Sequence, residues 1–161
     1  THARDKDAIV AVMCLCEVAA YCKKNNKTLW DMMLEMYEAY GYFKESQYTI
    51  TLKGIDGSKQ IAAIMDKFRQ NPPKAIGDAK VLKFRDYQED RIVDMETGAE
   101  TTTGLPKSNV LYFELPNNCW CCARPSGTEP KIKFYMGVVG NSLDDADKKL
   151  VQLTEDLKAL I

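Results

Sequence analysis

The sequence predicts an α+β fold, in which helices pack on one face of an antiparallel sheet and a helical tail precedes the sheet. Three patterns carry this prediction. Apolar residues recur at helical spacing in four segments, they alternate in several short segments between residues 81 and 138, and tight-turn residues separate two of those segments. A chain of 161 residues with 45% hydrophobic residues is long enough and apolar enough to bury a core.

The first two predicted elements are helices. Asp5 or Asp7 can cap a helix over residues 8–24, and Thr28 can cap a second helix that stops at Gly41. The first helix is apolar on nearly every side, so the pair would expose a large apolar face if it stood alone. We therefore expect this face to pack on the rest of the chain or on a second copy of the chain.

A domain boundary is expected where the pattern changes after the second helix. Residues 44–54 are mixed and extended, which is typical of a linker or an edge strand. We therefore expect a helical tail over residues 1–45 and a separate domain over residues 46–161. In that domain a third helix is predicted to start at Asp56 and to end before Pro72. Its apolar stripe consists of Ile61, Ile64, Met65 and Phe68.

The middle of this domain is predicted to be extended. Strands are expected near residues 81–87 and 91–95, and a stretch rich in Thr and Gly at 97–104 is interpreted as a mobile loop. Two further strands, over 110–115 and 119–123, flank a Pro-Asn-Asn turn, which indicates a hairpin.

The last strand and the last helix complete the predicted domain. From Ile132 to Val138 apolar residues alternate, so one face of this strand is expected to be buried. Ser142 then caps a helix whose leucines recur every three or four residues. This helix is expected to lie on the sheet, because its stripe is too short to favour a coiled coil.

The turn before the last strand is the candidate functional site, and its sequence over residues 124–133 is RPSGTEPKIK. Pro125 and Gly127 favour a tight turn. In such a turn the backbone N–H groups of Ser126, Gly127 and Thr128 are expected to converge on one point, where they would bind an anion.

Charged residues flank this turn. The guanidinium of Arg124 can bind two phosphate oxygens at once, and Lys131 and Lys133 follow the turn. Glu129 is expected to point away from a bound phosphate, or to orient Arg124 or a lysine. An ordinary surface turn that binds nothing is the alternative, because Pro, Ser and Gly are common in all turns.

The string RPSGTEPKIKFY, residues 124–135, resembles the phosphate-binding loop in the last domain of the alpha-D-phosphohexomutases, the phosphoglucomutase and phosphomannomutase family. Residues 1–7 are similar to the stretch after that family's sugar-recognition loop, where a helix of its third domain begins. The resemblance covers essentially the whole chain. It implies a last domain of the kind found in TATA-binding protein, preceded by the helical end of the third domain.

The resemblance also implies which residues bind the substrate phosphate. For Lys133 a solvent-facing strand lysine is the alternative, and Lys6 lies near a chain end, where fraying is common. Arg4 has weaker support, and His2 is interpreted as a solvated side chain because it lacks a partner. The implied phosphate-binding residues are Arg124, Ser126, Gly127, Thr128, Lys133 and Lys6.

Three features of the family are missing from the sequence: a catalytic serine in a Ser-His-Asn-Pro-like segment, a metal loop of alternating aspartates and glycines, and a Glu-x-Ser sugar loop. Asp56 with Gly57 is too short for the metal loop, and Ser108 lacks the histidine and proline of the serine segment. We therefore expect a C-terminal fragment with no catalytic residue and no activity of its own, whose partners are the missing N-terminal domains of the same chain.

By the same resemblance, the complete enzyme interconverts hexose 1-phosphate and hexose 6-phosphate. It uses Mg²⁺, whose ligands are not expected in this chain, and glucose 1,6-bisphosphate as activator and intermediate. Glucose phosphate is preferred over mannose or pentose phosphates on overall resemblance alone, because the sugar-reading loop is not in the sequence.

Composition and charge disfavour other functions. The net charge of −1, from 22 basic and 23 acidic residues, lacks the basic excess that nucleic-acid binding needs. The longest apolar run, over residues 8–22, is too short to span a membrane and is interrupted by Glu17. The six cysteines lack the paired spacing of a zinc site, so we expect reduced thiols in a cytoplasmic protein.

Two alternatives to a mutase fragment belong to other functional classes. One is a stand-alone anion- or nucleic-acid-binding module with no catalytic role. The other is an interaction domain whose loop binds nothing.

Overall fold

The computed structural model describes residues 5–161, so the predictions for His2 and Arg4 lie outside the described residues. The chain divides into two compact units, and the division falls between Gly41 and Tyr42. The elements are α1 (Ala8–Lys24), α2 (Leu29–Tyr40), β1 (Tyr42–Thr51), α3 (Gly54–Gln70), β2 (Ala75–Ile76), β3 (Ala79–Lys80), β4 (Lys83–Asp86), β5 (Arg91–Asp94), β6 (Glu100–Thr101), β7 (Leu111–Glu114), a 3₁₀ turn (Pro116–Asn118), β8 (Trp120–Pro125), β9 (Lys131–Gly140) and α4 (Leu143–Leu160).

The first unit contains α1 and α2, which confirms both helix predictions. The carboxylate of Asp7 caps α1 by accepting a hydrogen bond from the N–H of Val10 at 3.0 Å. A capping box begins α2, because the N–H of Asp31 donates to Thr28 Oγ1 and the N–H of Thr28 donates to the Asp31 carboxylate. Gly41 then ends α2 with a φ of 108°, which favours glycine.

Apolar side chains of this unit remain exposed. Ile9 is 75% exposed and Tyr40 is 77% exposed, and among the described residues before Tyr42 only Cys22 is fully buried. The two helices therefore leave many of their apolar side chains exposed within this unit. That another surface covers them stays a prediction. Within residues 5–161, no helix has both the length and the hydropathy needed to cross a bilayer.

The second unit is built on an antiparallel sheet with the strand order β1-β9-β8-β7-β4-β5-β6. The segment interpreted as a linker or an edge strand is the edge strand β1. It pairs with β9 along its whole length, from Tyr42 opposite Gly140 to Thr51 opposite Lys131. It starts at Tyr42, four residues before the predicted domain start at residue 46.

Two helices, α3 and α4, pack on one face of this sheet, which we call the core face. Phe68 of α3 meets the rings of Phe113 and Phe134 edge-on, with centroids 6.0 and 6.3 Å apart. Leu153 and Leu157 of α4 are buried in the same core. The prediction of an α+β fold with helices on one face of an antiparallel sheet is confirmed. The buried sheet residues that define the core face are Phe84, Phe113, Cys121, Ala123, Phe134 and Met136.

Local differences from the predicted elements have physical causes. Helix α3 begins at Gly54, two residues before the predicted start at Asp56. Its N-cap residue, Lys53, makes no side-chain capping hydrogen bond, so the sequence carries no capping signal at the true start. The stretch 97–104, predicted as a mobile loop, contains β6, and the Asp90 carboxylate accepts hydrogen bonds from the N–H groups of Thr103 and Gly104. The small hairpin of β2 and β3 was not predicted, because two-residue strands are too short to show alternation.

Candidate functional site

The candidate loop, residues 126–130, joins the long hairpin strands β8 and β9 as predicted. Hydrogen bonds hold both of its ends. The N–H of Ser126 donates to the carbonyl of Lys131 at 2.8 Å and closes the hairpin, and the N–H of Leu52 donates to the carbonyl of Pro130 at 2.9 Å. The loop is therefore fixed to β9 and to the end of β1.

The predicted convergence of three backbone N–H groups is wrong for Ser126, because its N–H is already bonded to Lys131. The N–H groups of Thr128 and Glu129 both lie 3.3 Å from the hydroxyl of Ser126, so this hydroxyl shapes the loop. The N–H of Gly127 makes no hydrogen bond to the residues that the structure describes. It is the main-chain donor of the loop that remains available.

Gly127 does not adopt the left-handed conformation that some turns require of a glycine, so this turn does not require a glycine there. A Cβ atom at Gly127 would have no heavy atom within 4 Å. The missing side chain leaves the backbone open to close approach by a ligand.

Arg124 and Lys133 lie directly opposite each other on β8 and β9. Neither side chain forms an ion pair or a hydrogen bond within the part of the chain that the structure describes. Residues at such a register have Cβ atoms about 5 Å apart, and like charges there destabilise a sheet. The two cations therefore lie opposite each other without a close ion pair, and the carboxylate on which Lys133 acts is that of Glu129.

Unlike Arg124 and Lys133, Lys131 forms an ion pair, because its Nζ lies 2.6 Å from the Glu129 carboxylate. The hydrogen bond from Lys131 lowers the pKa of the Glu129 carboxyl below its ordinary value, and the charges of Lys131 and Lys133 act in the same direction. The prediction that Glu129 orients a lysine is confirmed. Its negative charge is thus directed to Lys131.

A cavity of about 330 Å³ lies in front of the loop. Four of the predicted residues line it, namely Arg124, Ser126, Gly127 and Lys133. Thr128 does not line the cavity. Lys6 belongs to the first unit, where its Nζ lies 3.1 Å from Asp5 in a fully solvated ion pair. The other lining residues are Pro125, Glu129, Lys131 and Tyr135.

Tyr135 is the lining residue that the sequence reasoning missed. The available signal was its position two residues after Lys133 on a predicted strand, because residues i and i+2 share a face. The face opposite the core face, which we call the second face, therefore carries the predicted cations next to aromatic residues. This face includes Arg85, Tyr112, Glu114, Trp120, Cys122, Arg124, Lys131, Lys133 and Tyr135.

Comparison with known proteins links this chain to one group of enzymes. A phosphoglucomutase of Staphylococcus aureus strain bovine RF122 / ET3-1 is 37% identical over 147 residues, which are 91% of this chain. The phosphoglucomutase of strain USA300 is also 37% identical, and that of strain MRSA252 is 35% identical, over the same length. By sequence, the chain belongs to the phosphoglucomutase family. It spans 26% of the length of these curated relatives.

A solved phosphoglucomutase structure has a similar fold. It is the open form of pp63/parafusin from Paramecium, described as an exocytosis-sensitive phosphoprotein, with a TM-score of 0.54 and 15% sequence identity. The match covers 98% of this chain and 28% of that one. No family model matches the chain.

The lining residues include donors that an anion could use. They are the cations of Arg124 and Lys133, the hydroxyl of Ser126 and the N–H of Gly127, which together suit a phosphate group. Burial raises the pKa of the neighbouring Cys122 thiol to about 11, so this thiol is protonated at neutral pH and is a poor nucleophile. Among the described residues, no three His, Cys, Asp or Glu side chains lie together as a metal-ligand set.

Proposed function

We propose that this chain is the phosphate-holding part of a phosphohexomutase that interconverts hexose 1-phosphate and hexose 6-phosphate. The loop at 126–130, together with Arg124 and Lys133, holds the substrate phosphate that is not reacting. The observation that carries the proposal is the cross-strand pair of Arg124 and Lys133, whose side chains form no ion pair among the described residues.

The physical argument is that a bound phosphate compensates the repulsion between the positive charges of Arg124 and Lys133. Two like charges at a directly opposed register destabilise the sheet, by an amount on the order of 0.2–1 kcal/mol. A phosphate dianion bound between them removes that repulsion and gains charge-assisted hydrogen bonds. The planar guanidinium of Arg124 can contact two phosphate oxygens, whereas the ammonium of Lys133 acts as a point charge. The N–H of Gly127 completes the donor set.

Such a clamp serves a reaction in which the sugar must be held in two orientations. A phosphoserine of the longer enzyme transfers its phosphoryl group to the free hydroxyl of a hexose phosphate. The P–O bond to serine breaks, a new P–O bond forms on the sugar, and in the net step the proton of the sugar hydroxyl passes to the serine oxygen. The bisphosphate then returns its other phosphoryl group to the serine. The clamp recognises phosphate rather than the sugar, so it accepts either end of the bisphosphate.

The clamp lowers the reaction barrier by orientation alone. Holding the remote phosphate fixes the reacting end without contacting the bonds that break, and such positioning can supply several kcal/mol. The chain is proposed to be inactive by itself, because its sequence lacks the serine segment and the metal loop. Mg²⁺ held by other domains would neutralise charge on the transferring phosphoryl group.

Titration of the protein with glucose 1,6-bisphosphate, followed by amide chemical shifts, tests the proposal. We expect shifts at Gly127 and at its neighbours in the loop, with saturation. The variant Arg124→Gln should weaken binding by about tenfold or more, since a charged hydrogen-bond donor to phosphate contributes about 1.5–3 kcal/mol. Arg91→Gln is the matched control, because Arg91 already pairs with Glu100 and lies outside the loop cavity.

The stand-alone anion- or nucleic-acid-binding module is an outcome of the same experiment. A nucleic-acid site would bind an oligonucleotide with an affinity that falls steeply as salt rises, and it would not respond to the bisphosphate. Unchanged loop shifts at millimolar bisphosphate would exclude the phosphate clamp. Turnover of hexose phosphate by a clean preparation of this chain would contradict the proposal that this chain holds the phosphate but is inactive by itself.

A further inference from the structure

The candidate loop separates two cavities. Besides the loop cavity of about 330 Å³, a smaller cavity of about 170 Å³ lies between the loop and α3, and we call it the inner cavity. Residues of α3 form one of its walls, and Asn109, Ser126 and Glu129 belong to the others. Glu129 lines both cavities, whereas Lys131 lines only the loop cavity. Rotation of the Glu129 side chain can therefore turn its carboxylate toward either cavity.

The backbone around Asn109 is fixed by hydrogen bonds. The N–H of Val110 donates to the carbonyl of Ser108 at 2.8 Å, so Asn109 is the central residue of a γ-turn, and its φ is not in the left-handed region. The N–H of Ser108 donates to the carbonyl of Tyr87 at 3.2 Å, and the N–H of Tyr87 donates to the carbonyl of Val110 at 3.1 Å. Main-chain bonds on both sides of Asn109 therefore hold it beside the loop.

The side-chain amide of Asn109 is oriented by Arg69 of α3. Arg69 Nη2 donates to Asn109 Oδ1 at 2.8 Å. A guanidinium can only donate, so the amide oxygen is on the Arg69 side and the two amide N–H donors are at the other end of the group. Arg69 is 14% exposed and is itself held at 2.8 Å by the buried carboxylate of Asp86. The two N–H donors of Asn109 make no hydrogen bond to any residue that the structure describes.

The carboxylate of Glu129 is an acceptor that these donors can hold in the inner cavity. It is paired with Lys131 at 2.6 Å, but its side chain is 59% exposed, and so exposed an ion pair contributes little to stability. A phosphate dianion in the loop cavity would repel the carboxylate and would compete with it for Lys131. A hydrogen bond from a lysine to a phosphate oxygen is among the stronger kinds. Transfer of the carboxylate from Lys131 to Asn109 would remove both the repulsion and the competition.

We propose that Asn109 is a positioning residue of the phosphate site. When phosphate binds at the loop, the Glu129 carboxylate turns into the inner cavity, where the amide N–H groups of Asn109 donate to it. Lys131 is then released and becomes a third cation for the phosphate, beside Arg124 and Lys133. This inference rests on the proposed function, and it adds a residue that acts on the phosphate through Glu129 and Lys131 without touching it.

A double-mutant cycle with methyl phosphate tests the inference. Binding to the whole chain is followed by the amide shift of Gly127. We expect Asn109→Ala to weaken the affinity about threefold, because Glu129 then stays on Lys131. In the Glu129→Gln background no carboxylate competes for Lys131, so Asn109→Ala should leave the affinity unchanged. An equal loss of affinity in the two backgrounds would overturn the inference.

Gln88→Ala is the matched control. Gln88 Oε1 also accepts a hydrogen bond from Arg69, at 3.4 Å, and Gln88 lies outside both cavities. This variant should bind methyl phosphate as the unaltered chain does. A loss equal to that of Asn109→Ala would show that Asn109 acts only by holding Arg69, and would overturn the inference. Urea unfolding of the same variants gives the readout for a purely structural role, which would lower stability without coupling to Glu129 in the binding cycle.

The side-chain amide signals of Asn109 report the transfer directly. Saturation with methyl phosphate should shift them, because the amide gains a charged acceptor, whereas the side-chain signals of Asn118, which precedes β8 at the far end from the loop, should not move. If Gly127 shifts, Asn109 does not and Asn109→Ala binds normally, the inference is wrong and the phosphate clamp stands. If methyl phosphate does not shift Gly127, both are wrong.

A second variant keeps the test valid if Asn109→Ala does not fold. Asn109→Asp retains an acceptor for Arg69 but has no donor for Glu129 at pH 7, so it should also weaken binding about threefold or more. Gln88→Glu is its control, because it adds the same charge beside the same guanidinium. Equal affinities of Asn109→Asp and Gln88→Glu for methyl phosphate would overturn the inference.

Discussion

Neighbouring residues of β9 have opposite surroundings, because they point to opposite faces of one sheet. Phe134 is 1% exposed and packs edge-on against Phe68 of α3. Lys133 faces the other way, opposite Arg124, and its side chain forms no ion pair among the described residues. The same ten-residue strand thus contributes to the core with one set of side chains and to the candidate site with the other.

The two faces of the sheet also differ in whether their charged side chains form ion pairs. On the core face the buried carboxylate of Asp86 accepts a hydrogen bond from Arg69 Nε at 2.8 Å and further bonds from the N–H groups of Gln88 and Glu89. Its charge is fully compensated inside the protein. On the second face the side chains of Arg124 and Lys133 form no ion pair among the described residues, whereas Arg85 on the same face pairs with Glu114. Unpaired cations are therefore confined to the proposed site and are not a general property of the sheet.

The largest expected effect is on the core face. Phe134→Ala should lower the free energy of unfolding by about 3–5 kcal/mol, because it leaves a cavity among Phe68, Phe113 and the sheet. Urea unfolding measures the loss. Tyr135→Ala, one residue further on and on the second face, is the control and should cost about 1 kcal/mol. Equal losses at the two positions would contradict the division between the faces.

Removing the compensated charge should have the next largest effect. Asp86→Asn should lower the free energy of unfolding by about 3 kcal/mol, because Arg69, only 14% exposed, loses its buried counterion. The exposed pair of Lys80 and Glu96, 3.6 Å apart, provides the comparison. Glu96→Gln should change stability by about 0.5 kcal/mol or less in the same urea experiment. A loss at Asp86 no greater than this would show that its ion pair is not compensating a buried charge.

Removing an uncompensated charge should act in the opposite direction. Lys133→Met should raise the free energy of unfolding by about 0.2–1 kcal/mol, because it relieves the repulsion with Arg124 across the strands. The same variant should bind methyl phosphate more weakly, so the stability of the protein and its affinity for phosphate should change in opposite directions. Lys80→Met, at a lysine that already has a counterion, should produce neither change. A less stable Lys133→Met protein would indicate that the two cations do not repel each other.

The smallest expected effect concerns Glu129. Its pKa is lowered by Lys131, so its contribution to stability is complete above the ordinary carboxyl pKa of 4.5 and is lost as the pH falls through the lowered value. Glu129→Gln should therefore lose part of the acid dependence of unfolding below that pH. At pH 7 it should bind methyl phosphate about two- to threefold tighter, because Lys131 is freed. Weaker binding would mean that Glu129 helps to hold the anion.

Much of the fold could be predicted because strong local signals agree with the packing. The capping box of Thr28 and Asp31 and the three-four spacing of Leu153, Leu157 and Leu160 each specify a helix without reference to the rest of the chain. Helix α3 has no such cap, and its start was placed two residues late. The two-residue strands also lack a local sequence signal, because their pairing is decided by the neighbouring strands and not by their own residues.

The candidate site was predictable in its residue types but not in its contacts. The string RPSGTEPK contains the donors, yet it does not reveal that the N–H of Ser126 is used to close the hairpin. The opposition of Arg124 and Lys133 depends on the register of β8 and β9, which the loop conformation sets. Lys6 was placed at the site by resemblance alone, and its contribution stays a prediction.

The edge strand β1 has a mechanical consequence for the loop. It begins at Tyr42, the first residue of the second unit, and its ten residues pair continuously with β9 until Thr51 meets Lys131. The next residue, Leu52, is bonded to the loop carbonyl of Pro130. A shift of β1 along its own axis would therefore have to break its pairing with β9 and would displace the loop at Pro130.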